Sequence, residues 1–292
     1  MAYLPLMQQR LVEGMRRYRR RFDTLAGPLG RLGTLEVRLA RSVEEVKRAQ
    51  RLRYRVFYEE MSAVTNVRTL VSGRDRDPFD RFCDHLLVID HGEDGQTPEI
   101  VGTYRLLRQE VAQQNRGFYS SGEFELDKLV KRHPDRNFLE LGRSCVLPPY
   151  RTKRTVELLW HGIWAYVRRH NIDVMVGCAS LEGTDAAKLA PYLAFVRQIA
   201  PTPEEWRVRA LPGLGVNLDH LPDKAASELK AMRGLPPLLK GYLRLGAYVG
   251  EDAVVDRQFG TTDVFLVLPN ERINQRYINF YGADASRHSA EE

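Results

Sequence analysis

The chain has 292 residues, 43% of them hydrophobic, so it holds enough apolar side chains for a folded core, and general disorder is excluded. It contains no run of about 18 uncharged apolar residues and no apolar stretch followed by a small-residue cleavage site, which predicts neither a membrane-spanning helix nor an export signal. Its three cysteines are odd in number and far apart, which predicts a reducing cytosol and no bound metal.

The first predicted element carries much of the net charge of +6. Residues 4–22 combine apolar side chains at every third or fourth position with a dense arginine cluster, a pattern typical of an amphipathic helix. Such a helix either packs on the domain or lies on an anionic membrane, where each basic side chain contributes about 1 kcal/mol. The cluster favours a cytoplasmic protein that is peripheral on the inner face of the cytoplasmic membrane. Nucleic-acid motifs are not evident elsewhere, so no nucleic-acid partner is expected. The arginines are Arg16, Arg17, Arg19, Arg20 and Arg21.

Strand-like and helix-like patterns then follow in an order typical of an α/β domain. Ser42 followed by two glutamates is typical of a helix N-cap, and two strand patterns around the turn at 92–98 predict a hairpin. The predicted elements are a strand at 35–40, a helix from 42 to about 60, an irregular stretch at 64–82, strands at 85–90, 99–107 and 138–146, a helix at 155–170, a buried strand at 172–179, a helix at 184–198, a loop-rich segment at 201–222, a helix at 223–232 and a strand at 262–268.

Three units are predicted along the chain. Residues 1–30 are the basic amphipathic helix and a hinge at 26–30, where glycine and proline cluster. Residues 31–283 form the α/β domain, with a mixed central sheet flanked by helices. Residues 284–292 are polar without periodicity and are expected to be a disordered tail.

Several short motifs, taken in order, resemble the hemolysin-like branch of the GNAT superfamily. Within that branch they are most similar to the ornithine lipid N-acyltransferase family, and they also resemble the acyl-homoserine-lactone synthases. Any one motif is weak, whereas the ordered set is fairly specific and covers residues 35–180, with weaker similarity at 236–247 and 263–268. The motifs are LRYRVFYEE at 52–60, DPFD at 77–80, CDHL at 83–86, VGTYRLL at 101–107 and LELGRSCV at 139–146, followed by Tyr150 and Arg151.

This resemblance implies a GNAT-like fold and an acyltransferase activity. The implied reaction moves a 3-hydroxyacyl group from acyl carrier protein to the α-amine of L-ornithine and gives lyso-ornithine lipid. No bound cofactor is implied, because 4′-phosphopantetheine arrives on the carrier protein. The basic segment at 4–22 lies outside the region of similarity.

Amide formation from a thioester needs a neutral amine, and Glu140 is the first candidate for the base. Burial on a central strand would raise the pKa of its carboxyl group toward the working range. Alternatively, Glu140 forms a structural pair with Arg143. Residues three apart point to opposite faces of a regular strand, so the two side chains can act together only if the strand contains a bulge.

The thioester carbonyl also has to be polarised, and backbone amides near Cys145, Val146 and Leu147 are candidates because the strand ends there, before two prolines. Cys145 itself is a possible nucleophile, with His85 or His161 as a partner. No spacing supports a catalytic triad, so a buried structural cysteine is the favoured interpretation.

The donor's phosphate is expected at the start of the helix that follows Tyr150. Free amides and the helix dipole favour an anion there, and basic side chains add charge. The glycine-rich loop that wraps the pyrophosphate of coenzyme A in GNAT enzymes is absent, so a donor with a single phosphate fits better; the alternative is an ordinary basic helix start. The candidate residues are Arg151, Thr152, Lys153, Arg154 and Thr155.

A cationic acceptor needs carboxylates, and Asp77, Asp80 and Asp84 precede the hairpin. They either form the acceptor pocket or cap turns. Arg105 either binds the carboxylate of the acceptor or pairs with one of these aspartates. Two other functions are left open by the sequence: a homoserine-lactone-type synthase that uses S-adenosylmethionine, and a non-catalytic adaptor that holds carrier protein at a membrane surface.

Overall fold

The computed structural model describes residues 27–93, 96–216, 232–273 and 277. In this part of the chain nine strands form one sheet, in which only the central pair is parallel. The predicted mixed sheet is confirmed. The strands are β1 Gly30–Leu32, β2 Leu35–Leu39, β3 Asp84–Asp90, β4 Glu99–Arg108, β5 Phe138–Val146, β6 Val174–Glu182, β7 Gly215–Val216, β8 Tyr248–Asp256 and β9 Thr261–Pro269, and their order in the sheet is β1-β2-β3-β4-β5-β6-β9-β8-β7.

Helices join and cover the strands. Ser42 caps the first helix as predicted, since its hydroxyl accepts a hydrogen bond from the Glu45 amide at 3.2 Å, and that helix continues into a π-helical segment at Arg55–Glu60. The helices are α1 Val43–Tyr54, α2 Val67–Ser72, α3 Gln109–Gln113, α4 Leu126–Arg132, α5 Lys153–Arg169, α6 Ala186–Ile199 and α7 Pro237–Leu245, with 3₁₀ turns at Pro78–Arg81, Ser120–Gly122, Pro148–Tyr150, Glu204–Trp206 and Asn270–Arg272.

Apolar side chains fill both faces of the sheet. Successive strand residues alternate between two clusters, so that Phe138 belongs to one and Leu139 to the other. Helices α1, α5, α6 and α7 pack into the larger cluster, and α4 into the smaller one. This two-sided burial explains why the predicted strands read as nearly continuous apolar runs. Among the described residues, no helix has the length and apolar character needed to cross a membrane.

Strands β5 and β6 run together for only three residues and then separate. Their pairing covers Phe138–Glu140 and Val174–Val176 and ends there. At Gly177 the two backbones are in close contact, since a Cβ built at that position would lie 2.3 Å from the Leu141 carbonyl oxygen. Beyond this contact the β6 side of β5 has no neighbouring strand among the described residues, so we refer to the space between the two strands as the β5–β6 opening.

A β-bulge interrupts β5 on its other side. Gly142 pairs with Arg105 and Cys145 pairs with Thr103, so two residues of β5 face one residue of β4. Arg143 lies in this bulge with φ of 50°, a left-handed conformation that is uncommon for a residue other than glycine. Because of this bulge, Glu140 and Arg143 can lie on the same face of β5.

Several predicted boundaries need correction. The stretch at 64–82, predicted to be irregular, contains α2, which Asn66 caps, and the 3₁₀ turn that follows it. The segment assigned to the hinge ends in β1, whose three residues pair with β2. Strand β8 was not predicted, and the loop-rich segment contains β7. The predicted helix at 4–22, most of the predicted helix at 223–232 and the tail at 284–292 lie outside the described residues.

Candidate functional site

A buried network of three aspartates and three arginines lies beside the bulge of β5. The carboxylate of Asp80 accepts two hydrogen bonds from Arg53, at 2.9 and 2.7 Å, and Asp75 lies 2.8 Å from the Nε of the same guanidinium. Arg105 contacts Asp77 at 2.6 Å and Asp80 at 3.3 Å. Three guanidiniums, including that of Arg143, match three carboxylates, so the network carries no surplus negative charge.

Arg143 is held more loosely than its neighbours. Its Nη2 lies 3.2 Å from Asp77 and 3.3 Å from the hydroxyl of Tyr119. Its Nε lies 3.5 Å from Asp75 and makes no hydrogen bond to any described residue. The guanidinium also stacks on the rings of Tyr119 and Phe259, at 5.0 and 4.8 Å from their centroids. The side chain of Arg143 is 13% exposed, against 1% for Arg53 and 4% for Arg105, so Arg143 is the arginine of the network that another ligand can reach.

The predicted acceptor carboxylates have structural partners. Asp77 caps the 3₁₀ turn Pro78–Arg81 by accepting from the Phe79 amide at 2.8 Å. Burial opposes ionisation of Asp80, but Arg53 outweighs burial and holds the pKa of this carboxyl group well below its usual range. Of the two roles left open for Arg105, the structure shows the pairing with aspartates. Asp84 is not part of the network and receives a hydrogen bond from Tyr166 at 2.6 Å.

Glu140 holds a loop rather than pairing with Arg143. Its two oxygens accept hydrogen bonds from the backbone amides of Tyr119 and Ser120, each at 2.7 Å. Burial raises the pKa of the Glu140 carboxyl group, and these hydrogen bonds oppose that rise. No ion pair joins Glu140 to Arg143 in the described part of the chain. Both side chains instead meet the same residue, Tyr119.

Cys145 is buried, and this burial raises the pKa of its thiol far above the ordinary value. The two candidate partner histidines contact other groups: His85 lies 3.1 Å from the Asp80 carbonyl oxygen and His161 lies 3.0 Å from the Leu29 carbonyl oxygen. Because thiolate formation is strongly disfavoured, the structure supports the interpretation of Cys145 as a buried structural residue.

The amide of Val146 faces the β5–β6 opening. The next amide, that of Leu147, donates to the Val101 carbonyl oxygen of β4 at 2.9 Å. Backbone groups of neighbouring strand residues point to opposite edges, so the Val146 N–H points away from β4. Of the three predicted polarising amides, the structure thus directs that of Val146 into the opening and that of Leu147 into the sheet.

The predicted phosphate-binding residues lie at the N-terminus of α5. Thr152 is its N-cap and accepts from the Thr155 amide at 3.3 Å, which leaves the first two amides of the helix directed outward. Arg151 forms a bidentate pair with Glu60 at 2.5 and 2.6 Å, and its Nε donates to the Val146 carbonyl oxygen at 3.0 Å. The pair with Glu60 offsets the charge of Arg151, while the exposed Lys153 and Arg154 keep this helix end basic.

Sequence reasoning missed a second acidic group at the opening. The carboxylate oxygens of Glu123 and Asp263 and the sulfur of Cys178 lie within 4.8 Å of one another. Burial, together with Asp263 and Asp256, raises the pKa of Glu123 to about 7. Burial beside these carboxylates also raises the pKa of the Cys178 thiol.

Other missed residues complete the charged network. Asp75 lies two residues before the DPFD motif, and this spacing could have drawn attention to it. Tyr119 offers no such signal, because it lies in the segment between β4 and β5, which has no clear periodicity. Its ring lies 5.1 Å from the Arg105 guanidinium and 5.0 Å from that of Arg143.

Comparisons with known proteins identify the family of the chain. Residues 52–161, which include β5 and the end of α1, match the family model described as an acetyltransferase (GNAT) domain. The chain is 53% identical over 263 residues to the L-ornithine N(alpha)-acyltransferase of Rhizobium meliloti (strain 1021), covering 90% of this chain and 89% of the relative.

A more distant relative carries the same name. The L-ornithine N(alpha)-acyltransferase of Rhodobacter capsulatus is 38% identical over 247 residues, covering 84% of this chain and 94% of the relative. Among solved structures, the CoA-dependent acyl-homoserine lactone synthase BjaI, with SAM and isopentyl-CoA, is 15% identical with a TM-score of 0.41, covering 82% of this chain and 83% of that chain.

Proposed function

The chain belongs to the L-ornithine N(alpha)-acyltransferase family, and on that premise we propose that it transfers a 3-hydroxyacyl group from acyl carrier protein to the α-amine of L-ornithine, giving lyso-ornithine lipid. The observation that carries this proposal is the β5–β6 opening, which lies beside both the arginine network and the second acidic group. A thioester and an amino acid can therefore meet there.

The donor enters the opening as 4′-phosphopantetheine carried by acyl carrier protein. The amide of Val146, which points away from β4, donates to the thioester oxygen and stabilises the negative charge that develops there. The phosphate lies at the N-terminus of α5, near the basic side chains of Lys153 and Arg154. Arg151, fixed by Glu60, lies at the rim of the opening, and the exposed Lys153 and Arg154 give this rim a surface suited to an acidic carrier protein.

The acceptor binds through its carboxylate to Arg143, whose side chain, 13% exposed, is the most accessible of the three arginines in the network. Asp77, Asp80 and Arg105 act on the acceptor indirectly, because they fix the network against which Arg143 rests. A planar guanidinium suits a carboxylate because it offers two parallel N–H groups.

The reaction also needs a proton acceptor for the amine. Two glutamates lie close enough to the opening to qualify: Glu140, at the last paired position of β5, and Glu123, on the loop that Glu140 holds. Both have a raised pKa, for which burial is the main cause.

The test of the function is a product analysis. The purified full-length protein is incubated with 3-hydroxyacyl carrier protein, or with the matching acyl coenzyme A, and with a panel of amino acids, and products are read by mass spectrometry. We expect an ornithine adduct that forms faster from the carrier protein. Release of a lactone that requires S-adenosylmethionine would favour the synthase, and donor binding without any adduct would favour the adaptor.

We further propose that the basic segment at 4–22 holds the enzyme on anionic membranes. Its arginines would interact with acidic headgroups while its apolar face enters the interface. Deletion of residues 1–22 is expected to abolish sedimentation with vesicles that contain an anionic phospholipid, and to leave acyl transfer to soluble ornithine within about twofold. Vesicles of phosphatidylcholine alone are the control. Undiminished sedimentation of the truncated protein with anionic vesicles would contradict the proposal.

A further inference from the structure

Glu123 belongs to a loop whose position is fixed by hydrogen bonds to Glu140 of β5. The two oxygens of Glu140 accept the amides of Tyr119 and Ser120, and the Glu123 amide closes the following 3₁₀ turn by donating to the Ser120 carbonyl oxygen at 3.0 Å. The Leu211 amide then donates to the Glu123 carbonyl oxygen at 2.8 Å. Both carboxylate oxygens of Glu140 thus bind backbone amides of the loop. The half-buried Glu123 carboxylate, in contrast, makes no hydrogen bond to a described residue.

This loop lies against β6 where β6 leaves β5. Cys178 is two residues beyond Val176, the last residue paired with β5, and its sulfur lies 3.4 Å from the Ser120 hydroxyl. The Glu123 carboxylate lies within 4.8 Å of that sulfur and of Asp263. Glu123 therefore stands at the base of the β5–β6 opening, where the two reactants of the proposed function would meet.

The carboxylates of Glu123 and Asp263 have no ion-pair partner among the described residues. Asp263 accepts a hydrogen bond from the Thr261 hydroxyl at 2.9 Å, but in the described ranges no lysine or arginine forms an ion pair with Asp263 or Glu123. The network around Arg53 and Arg105, by contrast, matches each carboxylate with a guanidinium. A primary ammonium group entering the opening is consequently attracted to Glu123 and Asp263 rather than to the network aspartates.

We propose that Glu123, and not Glu140, is the residue that removes the proton from the α-ammonium group of the acceptor. This inference rests on the proposed function and assigns a residue to it. The nitrogen gives one proton to the Glu123 carboxylate, and its lone pair attacks the thioester carbon. As the C–N bond forms and the C–S bond breaks, the second nitrogen proton passes to the departing thiolate. Glu123 then returns its proton to solvent, so the products are the amide, the free thiol and one proton.

The charges that face Glu123 set the pH range in which it can work. Asp263 and Asp256 on neighbouring strands and Glu140 beneath the loop raise its pKa, Arg143 lowers it, and burial is the largest contribution. The resulting value of about 7 means that the carboxylate is largely ionised at pH 8 and largely protonated at pH 6. Activity that needs the ionised form should rise across this range and level off above it.

The experiment compares the pH dependence of kcat/KM for ornithine in full-length wild-type protein, Glu123→Gln and Glu125→Gln. Glu125 lies on the same segment and pairs with Lys128 at the surface, so its variant is the matched control. At pH 7 we expect Glu123→Gln to lower kcat/KM by a factor of about 100 to 10,000. Its residual rate should keep rising toward pH 9.5, where solvent supplies neutral amine, while the wild-type rate levels off above about pH 8. Glu125→Gln should follow the wild type.

Other variants and conditions separate this role from its alternatives. Glu123→Asp should retain activity well above that of Glu123→Gln, since it keeps a carboxylate. Glu140→Gln should lower the thermal midpoint as well as the activity. Its rate should still rise with pH and level off, with a midpoint no higher than that of the wild type, because one charge that raises the pKa of Glu123 is removed. A wild-type pH profile in Glu123→Gln, or loss of wild-type activity with a chelator that zinc restores, would overturn the assignment. If the wild type gives no ornithine adduct, the proposed function fails, whatever these variants do.

Discussion

Replacing Arg143 by lysine is expected to lower kcat/KM for ornithine about 100-fold, equivalent to about 2.7 kcal/mol, and to leave the KM for the acyl donor within about twofold. The reason is geometric. Lysine keeps the positive charge beside Asp75 and Asp77, but it cannot offer two N–H groups in a fixed plane to the acceptor carboxylate. The measurement is steady-state kinetics with ornithine varied at a saturating donor concentration.

A ligand without the carboxylate isolates the contribution of Arg143. The substrate 1,4-diaminobutane has the two amines of ornithine but no carboxylate, so the wild type should use it slowly. With this substrate kcat/KM of Arg143→Lys should be less than about threefold below that of the wild type, because neither protein can contact a carboxylate. The exposed Arg55, which contacts Glu99 at 3.3 Å, gives the control variant Arg55→Lys, expected to behave as the wild type with both acceptors. Equal losses with ornithine and with the diamine would show that Arg143 supports the fold and not the acceptor.

The sequence could not show that Arg143 is held more loosely than the other arginines of the network. Alternation along β5 puts Glu140 and Arg143 on opposite faces, and only the bulge opposite Tyr104 brings them to the same side. The motifs contain every charged residue of the network except Asp75, but the pairing of these residues depends on a helix, a 3₁₀ turn and two strands that meet in space. For the same reason the sequence left open an acceptor-binding role for Asp77 and Asp80, whereas in the structure arginines from other elements form ion pairs with both.

The central strands were predictable because burial on both faces gives them long apolar runs, and α1 and α5 because their caps and periodicity agree. Strand β8 was missed because Gly250, Glu251 and Asp252 interrupt its apolar pattern at a register shift against β9. The role proposed for Glu123 had no local signal, because its environment is made by Asp256 and Asp263, which lie far along the chain.

The Asp80→Asn variant is expected to lose about 3–5 kcal/mol of stability at pH 7, because it removes the charge of the carboxylate nearest to the buried guanidinium of Arg53. Arg53 is only 1% exposed, so water cannot replace the lost carboxylate. Asparagine has nearly the same size and keeps one oxygen, so the loss reports charge rather than a cavity. The measurement is urea unfolding of full-length protein, followed by circular dichroism and compared with that of Asp135→Asn, which changes an exposed aspartate and should cost less than about 0.5 kcal/mol.

The pH dependence of this loss has a defined sign. Arg53 outweighs burial and depresses the pKa of folded Asp80, so the charged carboxylate stabilises the fold fully above the unfolded value of about 3.9 and loses that contribution as the pH falls toward the folded value. The difference between wild type and Asp80→Asn should therefore be largest at pH 7, nearly unchanged at pH 5 and smaller at pH 3. A difference that stays constant down to pH 3, or one below about 1 kcal/mol at pH 7, would mean that Asp75 alone is sufficient to hold Arg53 in the core.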